Sequence, residues 1–266
     1  MSYVSILYDG EPIIKSADEV NVQVPENLST GLKKRDTSKF PRYGFAKPVD
    51  MPIIPRSEWT ERIKEIEQSK SRLSDLSYSK GILCKSQEKT NYCWANSIVY
   101  CVELVRMSMG LGVKYLSPAS VAAPIKNHKN HAGFASEALK YIIDNGVFTE
   151  DAWPANAIDQ KYFDKEKNRE LAREYAVTEW YDIAPKNFEQ VMTCLLLRIP
   201  VAVGYYWWMH QVCAVDPISL GANVYGIRIR NSWGMDYGKD GYAIIRENLA
   251  APDDAVAPRV TKSYME

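Results

Sequence analysis

Apolar positions in the first two thirds of the chain recur at helical spacing. Within residues 57–77 an apolar stripe runs through a charged background, which predicts an amphipathic helix that covers a groove on its own chain or docks on another protein. The stretch from Cys93 to Met109 is apolar on nearly every side and ends before Gly110, which predicts a helix buried in the core. Further helices are expected at residues 134–145, 159–175 and 188–196.

After Pro200 the pattern changes to short runs of β-branched and aromatic residues separated by turn residues, which predict strands. Helices followed by strands indicate an α+β fold, in which a helical half with a central buried helix packs against an antiparallel sheet half. The expected strands are Val201–Trp208, Gln211–Val215, Asn223–Arg230 and Tyr242–Arg246.

The two ends of the chain differ from this central part. Six of the fourteen prolines fall in residues 1–56, and proline favours extended backbone without donating hydrogen bonds. Together with the amphipathic helix this stretch forms an N-terminal segment at 1–80, ahead of a main domain at 81–248. Residues 249–266 contain alanine and proline and are expected to be a C-terminal tail.

Charge and composition exclude several classes of function. The 33 basic and 33 acidic residues give a formal net charge of zero, so nucleic acid is not an expected partner. No apolar stretch approaches the roughly 18 residues of a membrane span, so no membrane association is expected. The N-terminus lacks the basic and long apolar regions of a signal peptide.

The cysteines and histidines favour free thiols over bound metal. Five cysteines without a C-x-x-C pair are typical of a reducing compartment, so an intracellular or virion location is expected, with no metal and no cofactor. His128 and His131 form an H-x-x-H motif. We interpret them first as two loop residues, and a pair of metal ligands is the less favoured alternative.

Four polar residues stand at positions where they support thiol chemistry. Cys93 opens the central helix, where the helix dipole and unpaired N–H groups favour a thiolate. Gln87 lies six residues upstream, His210 stands where the sheet begins, and Asn231 follows a strand. Taken singly, three of them have ordinary alternatives: Cys93 as a packed thiol, Gln87 as a surface amide and Asn231 as a turn residue.

At these positions the chain resembles the papain family of cysteine peptidases. The similarity covers roughly residues 81–248, with blocks in the family's order and spacing. Ser86-Gln87-Glu88-Lys89 also fits the S-x-x-K motif of serine hydrolases, but without supporting partners. The family-like blocks are Gln87-(five residues)-Cys93-Trp94-Ala95, His210-Gln211-Val212-Cys213-Ala214-Val215, Asn231-Ser232-Trp233-Gly234 and Tyr237-Gly238-Lys239-Asp240-Gly241-Tyr242.

The resemblance implies a papain-like fold and a role for each matching residue. Cys93 is expected to be the nucleophile, a thiolate paired with His210 as imidazolium. Asn231 is expected to orient the His210 ring, with Trp233 shielding their hydrogen bond from water. Gln87 and the Cys93 backbone N–H are expected to form the oxyanion hole.

Substrate-binding residues are implied less directly, because the chain departs from the family pattern around them. Gly133 is expected on the wall where an extended peptide pairs with the backbone. Ala132 stands where a glycine is usual, and Tyr92 is part of an Asn-Tyr that replaces a usual Gly-Ser. Trp233 completes this set. Thr90 stands where secreted members have a disulfide cysteine, in agreement with a reducing environment.

Three hypotheses of function remain open. In the first, the chain hydrolyses peptide bonds of a peptide or protein substrate through a Cys-His-Asn triad and an acyl-enzyme. In the second, it is a structural or adaptor component of a viral particle, bound to neighbouring chains through residues 1–80, because its general features also resemble papain-like proteins of bacterial viruses. In the third, the same thiol chemistry acts on cell-wall peptide or an isopeptide bond.

Overall fold

The helices lie mainly in the first two thirds of the chain, as expected. The computed structural model describes residues 7–8, 10–18, 25–36, 51–163 and 166–261. Short 3-10 turns at Gln160–Tyr162 and Arg173–Tyr175 flank the sixth helix. The helices are α1 (Arg56–Gln68), α2 (Leu73–Ser79), α3 (Cys93–Ser108), α4 (Ala119–Ile125), α5 (Ala135–Asn145), α6 (Glu166–Ala172), α7 (Phe188–Leu196) and α8 (Glu247–Ala250).

One sheet with the order β1-β2-β7-β6-β5-β4-β8-β3 collects the described strands. Neighbouring strands pair antiparallel, except that β2 and β7 pair parallel through Ile13–Ile244 and Ile14–Ile245. The α+β class is therefore confirmed, with one parallel pair in a sheet that we expected to be antiparallel. The strands are β1 (Leu7–Tyr8), β2 (Glu11–Ile14), β3 (Val177–Ile183), β4 (Val201–Tyr205), β5 (His210–Ser219), β6 (Tyr225–Arg230), β7 (Tyr242–Arg246) and β8 (Asp254–Thr261).

Two predicted helices are interrupted in the structure. The helix expected at 57–77 is two helices, α1 and α2, because Lys70 adopts a positive φ of 50° between them. The helix expected at 159–175 is one short helix between two 3-10 turns. Its charged sequence offers little apolar surface to bury, and tertiary packing supplies most of the stability of a helix.

The residues expected to form a C-terminal tail take part in the sheet. β8 lies between β4 and β3, and its first five residues are buried. Pro258 and the small residues around it lack the strong β-branched pattern of the other strands, and burial between two neighbours decides their conformation. The domain boundaries themselves stay a prediction.

The sheet separates two apolar layers. Alternate residues of β5 face opposite sides, so Cys213 and Val215 join the cluster around α3, whereas Val212 and Ala214 join the cluster around α1 and α7. The central helix is confirmed, since 14 of its 16 residues are buried. Within the described residues, no helix is long and apolar enough to cross a membrane.

Candidate active site

Cys93 is the first residue of α3, at the edge where the helical layer meets the sheet. Its side chain is fully buried, and burial raises the pKa of the thiol to about 12. The backbone N–H groups of Gln211, Gly31, Trp94 and Cys93 itself approach the sulfur and act in the opposite direction. The helix N-terminus therefore supplies part of the donor set expected for a thiolate, but burial outweighs it in this arrangement.

His210 and Asn231 are brought together by adjacent strands. His210 is the first residue of β5, and Asn231 directly follows β6. His210 Nε2 lies 2.7 Å from Asn231 Oδ1, which also accepts from the backbone N–H of Ser232 at 2.7 Å. Because a carbonyl oxygen only accepts, Nε2 carries the proton. Nδ1, which has no hydrogen-bond partner within the described chain, then presents the lone pair of a general base.

Two tryptophans enclose the His210 ring. Trp233 stacks on it with ring centroids 4.6 Å apart, as the sequence-based shielding role requires. Trp208 lies 4.8 Å from it on a tilted plane and was missed by the sequence analysis, although its position two residues before the histidine was a usable signal. Burial lowers the pKa of His210 to about 4, and the Asn231 hydrogen bond opposes this shift.

The protonation states of Cys93 and His210 differ from those of the expected thiolate–imidazolium pair. A thiol pKa raised to about 12 and an imidazole pKa lowered to about 4 both favour the neutral forms at neutral pH. The common cause is removal of both groups from water. The site as folded here therefore holds a neutral thiol and a neutral imidazole.

Gln87 is held rigidly beside these residues. Its Oε1 accepts from the Ser232 hydroxyl at 2.5 Å, a contact that the sequence analysis missed. That contact orients its Nε2 donor, which donates to the Thr90 carbonyl at 2.7 Å and to the Ser29 carbonyl at 2.9 Å. The amide expected in the oxyanion hole is therefore engaged by a carbonyl of the chain's own N-terminal part.

Residues 29–35, here called the cleft segment, run past Gln87, Met209 and Gly133. Leu32 pairs in parallel with Gly133: the Gly133 N–H donates to the Gly31 carbonyl at 3.0 Å, and the Lys33 N–H donates to the Gly133 carbonyl at 2.7 Å. The Leu32 N–H donates to the Met209 carbonyl at 3.1 Å. Gly133 thus pairs with extended backbone, as expected for a peptide, but the peptide belongs to this chain.

The fit at Gly31 is close. A Cβ built there would lie 2.0 Å from the Asn91 carbonyl oxygen, a distance that no side chain tolerates. Gly31 also presents a backbone N–H to the Cys93 sulfur.

The cleft segment is also held by the side chains of Leu32, which is buried, and Arg35, which belongs to an ion cluster. Leu32 is 2% exposed and lies against Gly204, where an added Cβ would be 3.1 Å from the leucine side chain. Arg35 forms two bonds with Asp182, at 2.9 and 3.0 Å, and one with Asp254 at 3.2 Å. No charge or periodicity in the sequence pointed to this cluster, because its members are far apart in the chain.

The other predicted substrate-binding residues take different positions. Ala132 is half-buried beside Gly133. The Tyr92 ring is fully buried, packs edge-on against Trp94, and its hydroxyl donates to the Lys129 carbonyl at 2.9 Å. Tyr92 therefore stabilises the loop beneath the cleft, whereas its neighbour Asn91 supplies the backbone that Gly31 crosses.

The histidine pair does not combine into a ligand set. His128 Nδ1 bonds the Ile158 carbonyl at 2.8 Å, and its ring stacks on Trp153. Within the described residues, no group of three or more His, Cys, Asp or Glu side chains is placed to hold a metal ion.

A buried thiol at a helix N-terminus, a histidine bonded to an asparagine and a glutamine amide are the residue types that thiol hydrolases use. Comparison with known proteins finds cysteine proteases. Oryzain beta chain of Oryza sativa subsp. japonica is 28% identical over 189 residues, which cover 62% of this chain and 40% of that protein. Cathepsin S of Rattus norvegicus is 25% identical over 190 residues, which cover 62% of this chain and 56% of that protein. No family model matches.

Solved structures show the same fold. Procathepsin L 3 of the Tenebrio molitor larval midgut superposes with a TM-score of 0.58 at 19% identity, covering 69% of this chain and 68% of that one. The chain is thus similar in sequence to papain-like cysteine proteases and has their fold. It spans about half the length of the curated relatives named above.

Proposed function

We propose that the chain is a papain-like cysteine peptidase held in a latent state by its own cleft segment. What supports the proposal is that extended backbone of the chain itself contacts, in turn, the Gln87 amide, the Asn91 backbone two residues before Cys93, and Met209 next to His210, whose ring is bonded to Asn231. Similarity to cysteine proteases supports the same reaction class.

In the open enzyme, each residue has a defined task. His210 Nδ1 takes the proton of Cys93, and the sulfur attacks the carbonyl carbon of a peptide bond. The C–N bond then breaks, His210 gives the proton to the leaving amine, and an acyl-enzyme remains. Asn231 keeps the Nε2–H tautomer and supports the imidazolium that forms. Gln87 Nε2 and the Cys93 N–H stabilise the oxyanion, and loss of one such donor costs about 10²–10³ in rate. His210 then activates the water that releases the acyl group.

The cleft segment accounts for latency. It occupies the Gly133 backbone, the Gln87 amide and the space around the sulfur, which are the groups that a substrate needs. Its pairing with Gly133 and its carbonyl on the Gln87 amide keep a second extended peptide from using the same groups. Displacement of residues 29–35 would rehydrate Cys93 and His210 and allow the thiolate–imidazolium pair.

A second candidate is a structural protein built on a peptidase fold. The filled cleft favours it as well, because a permanently occupied site needs no turnover. The similarities described above lend no support to the viral-particle hypothesis or to neighbouring chains bound through residues 1–80, so both stay predictions.

The Gly31→Val variant separates the two candidates. Its side chain collides with the Asn91 carbonyl and removes the segment from the cleft. Lys33→Val is the matched control, since Lys33 is exposed in the same segment. Both variants and the unaltered chain are treated with an epoxide thiol-protease inactivator from pH 4 to 9, and adducts are located by mass spectrometry.

For a latent peptidase, Gly31→Val gives one adduct on Cys93, formed well below pH 8 and abolished by adding His210→Ala. The unaltered chain and Lys33→Val react at least about 100-fold more slowly, because a closed state favoured by about 2.7 kcal/mol protects the thiol. Labelling of Gly31→Val that follows an ordinary thiol pKa near 8.5, or spreads over several cysteines, supports the structural candidate instead.

A further inference from the structure

The structure brings two cysteines outside the candidate site into direct contact. Cys101 lies in the middle of α3, and Cys213 lies in β5. Their sulfur atoms are 3.2 Å apart, and the residues are 0% and 1% exposed. All five cysteines are within the described residues and are free, and no hydrogen-bond contact joins any other two of their sulfur atoms.

We propose that Cys101 and Cys213 are a redox pair that forms a disulfide across the interface between the helical layer and the sheet. A disulfide needs sulfur atoms about 2.05 Å apart, with the two side chains on facing elements. The two sulfur atoms, 3.2 Å apart, have to approach each other by roughly 1.2 Å to form the bond.

The position of the pair gives the bond a structural consequence. Cys101 is eight residues, about 12 Å, along α3 from Cys93. Cys213 is three residues, about 10 Å, along β5 from His210. The bond would therefore join the two elements that carry the candidate nucleophile and base, behind the cleft and away from the cleft segment.

The oxidation is a two-step exchange with a small-molecule disulfide, for which glutathione disulfide is the probe. The thiolate of one cysteine attacks a glutathione sulfur, which breaks the glutathione disulfide and releases one glutathione thiolate. The second cysteine thiolate then attacks the protein sulfur of the mixed disulfide and releases the other glutathione. Two protons leave the protein thiols, and two electrons reduce glutathione disulfide to two glutathione molecules.

Burial determines when this exchange takes place. Burial raises the pKa of Cys101, and the neighbouring Cys213 thiol adds to the shift. A protonated, enclosed thiol reacts slowly, so the bond forms while the chain folds or transiently opens, and once formed it is protected from reductants. This proposal does not depend on peptidase activity.

The test is refolding of the full chain from the reduced, unfolded state in a glutathione redox buffer. Remaining thiols are alkylated, and peptides are mapped without reduction. Before alkylation, the expected product is lighter than the reduced chain by two hydrogen atoms. After alkylation, it has one Cys101–Cys213 link and three alkylated cysteines. Cys213→Ala lacks the link, whereas Cys194→Ala, which removes another buried thiol, retains it.

Stability supplies the second measurement. The bond closes a loop of more than 100 residues, and it is expected to raise Tm by on the order of 10 °C over the reduced chain. Correctly folded chain with five free thiols, a link between other cysteines, or a linked chain with an unchanged Tm would overturn the proposal. If refolding fails, the native reduced chain is incubated with glutathione disulfide just below its unfolding transition, and its peptides are mapped in the same way. The same outcomes then support or overturn the proposal.

Discussion

Two parts of the N-terminal region attach to the same body by different physical means. α1 buries Trp59, Ile63 and Ile66 against the sheet and α7, so apolar area holds it. The cleft segment is held by backbone hydrogen bonds, by the buried Leu32 side chain and by one buried ion cluster. Water can replace the backbone hydrogen bonds of the cleft segment but not the apolar contacts of α1. Under the proposed function, we therefore expect α1 to stay attached when residues 29–35 leave the cleft.

The largest expected effect comes from a substitution in α1. The Trp59 ring is fully buried against Tyr225 and Phe188, and its Nε1–H donates to the Ile54 carbonyl at 2.9 Å. Trp59→Ala should lower the free energy of unfolding by about 3–5 kcal/mol, measured by urea denaturation. Ile53→Ala, at a residue 45% exposed, is the control and should change it little. Equal losses in both variants would contradict apolar attachment of this region.

Arg35 binds the cleft segment to the rest of the chain. Arg35→Met leaves Asp182 and Asp254 buried without their cation, and breaking such a buried pair costs about 3–5 kcal/mol. Under the proposed function the segment leaves the cleft, so we expect most of this cost to appear as exposure of Cys93. Epoxide labelling of Cys93 should accelerate by about 100-fold, while the rest of the fold keeps its urea midpoint. Lys34→Met, at an exposed neighbour, should label at the original rate.

The pH dependence of stability gives a further test, through the titration of His210. Its pKa falls from 6.5 to about 4 on burial, so the closed chain binds fewer protons than the unfolded chain between these values. Stability contributed by the neutral imidazole is therefore complete above pH 6.5 and is lost as the pH falls towards 4. At about 1.4 kcal/mol per pKa unit, the loss reaches about 3 kcal/mol.

Urea denaturation at pH 7 and pH 4 measures this loss. The fall in unfolding free energy between the two pH values should be about 3 kcal/mol larger for the unaltered chain than for His210→Ala. Other titrating groups contribute equally to both proteins and cancel in the difference. A pH dependence that is unchanged by the substitution would show that His210 is not buried as a neutral ring.

The smallest expected effect lies on the exposed face of α1. Glu58 and Arg62 form an i,i+4 ion pair with both side chains about 45% exposed. Glu58→Gln should lower the unfolding free energy by no more than about 0.5 kcal/mol, because exposed pairs are screened by water. The effect should vanish in 1 M salt. A loss comparable to that of Trp59→Ala would mean that charge, and not apolar burial, attaches α1.

Much of the fold was predictable because its signals are local. The apolar run from Cys93, the helix of residues 135–145 and the strand runs after Pro200 each carry a periodicity that neighbouring residues alone produce. β8 was missed because its conformation depends on burial between β4 and β3, not on its own residues. The break between α1 and α2 was missed because a single positive φ at Lys70 interrupts an otherwise continuous stripe.

The amino-acid sequence by itself determined the chemistry available to this protein: a thiol at a helix N-terminus, a histidine and an asparagine at strand ends, and an amide upstream. Tertiary structure alone decided their protonation and access. Residues 29–35 carry no periodicity that marks them, yet the 2.7 Å bond from the Lys33 N–H to the Gly133 carbonyl and the Arg35 ion cluster hold them against the main domain. The physical reason is that burial and long-range pairing depend on residues up to 219 positions apart, which no local pattern encodes.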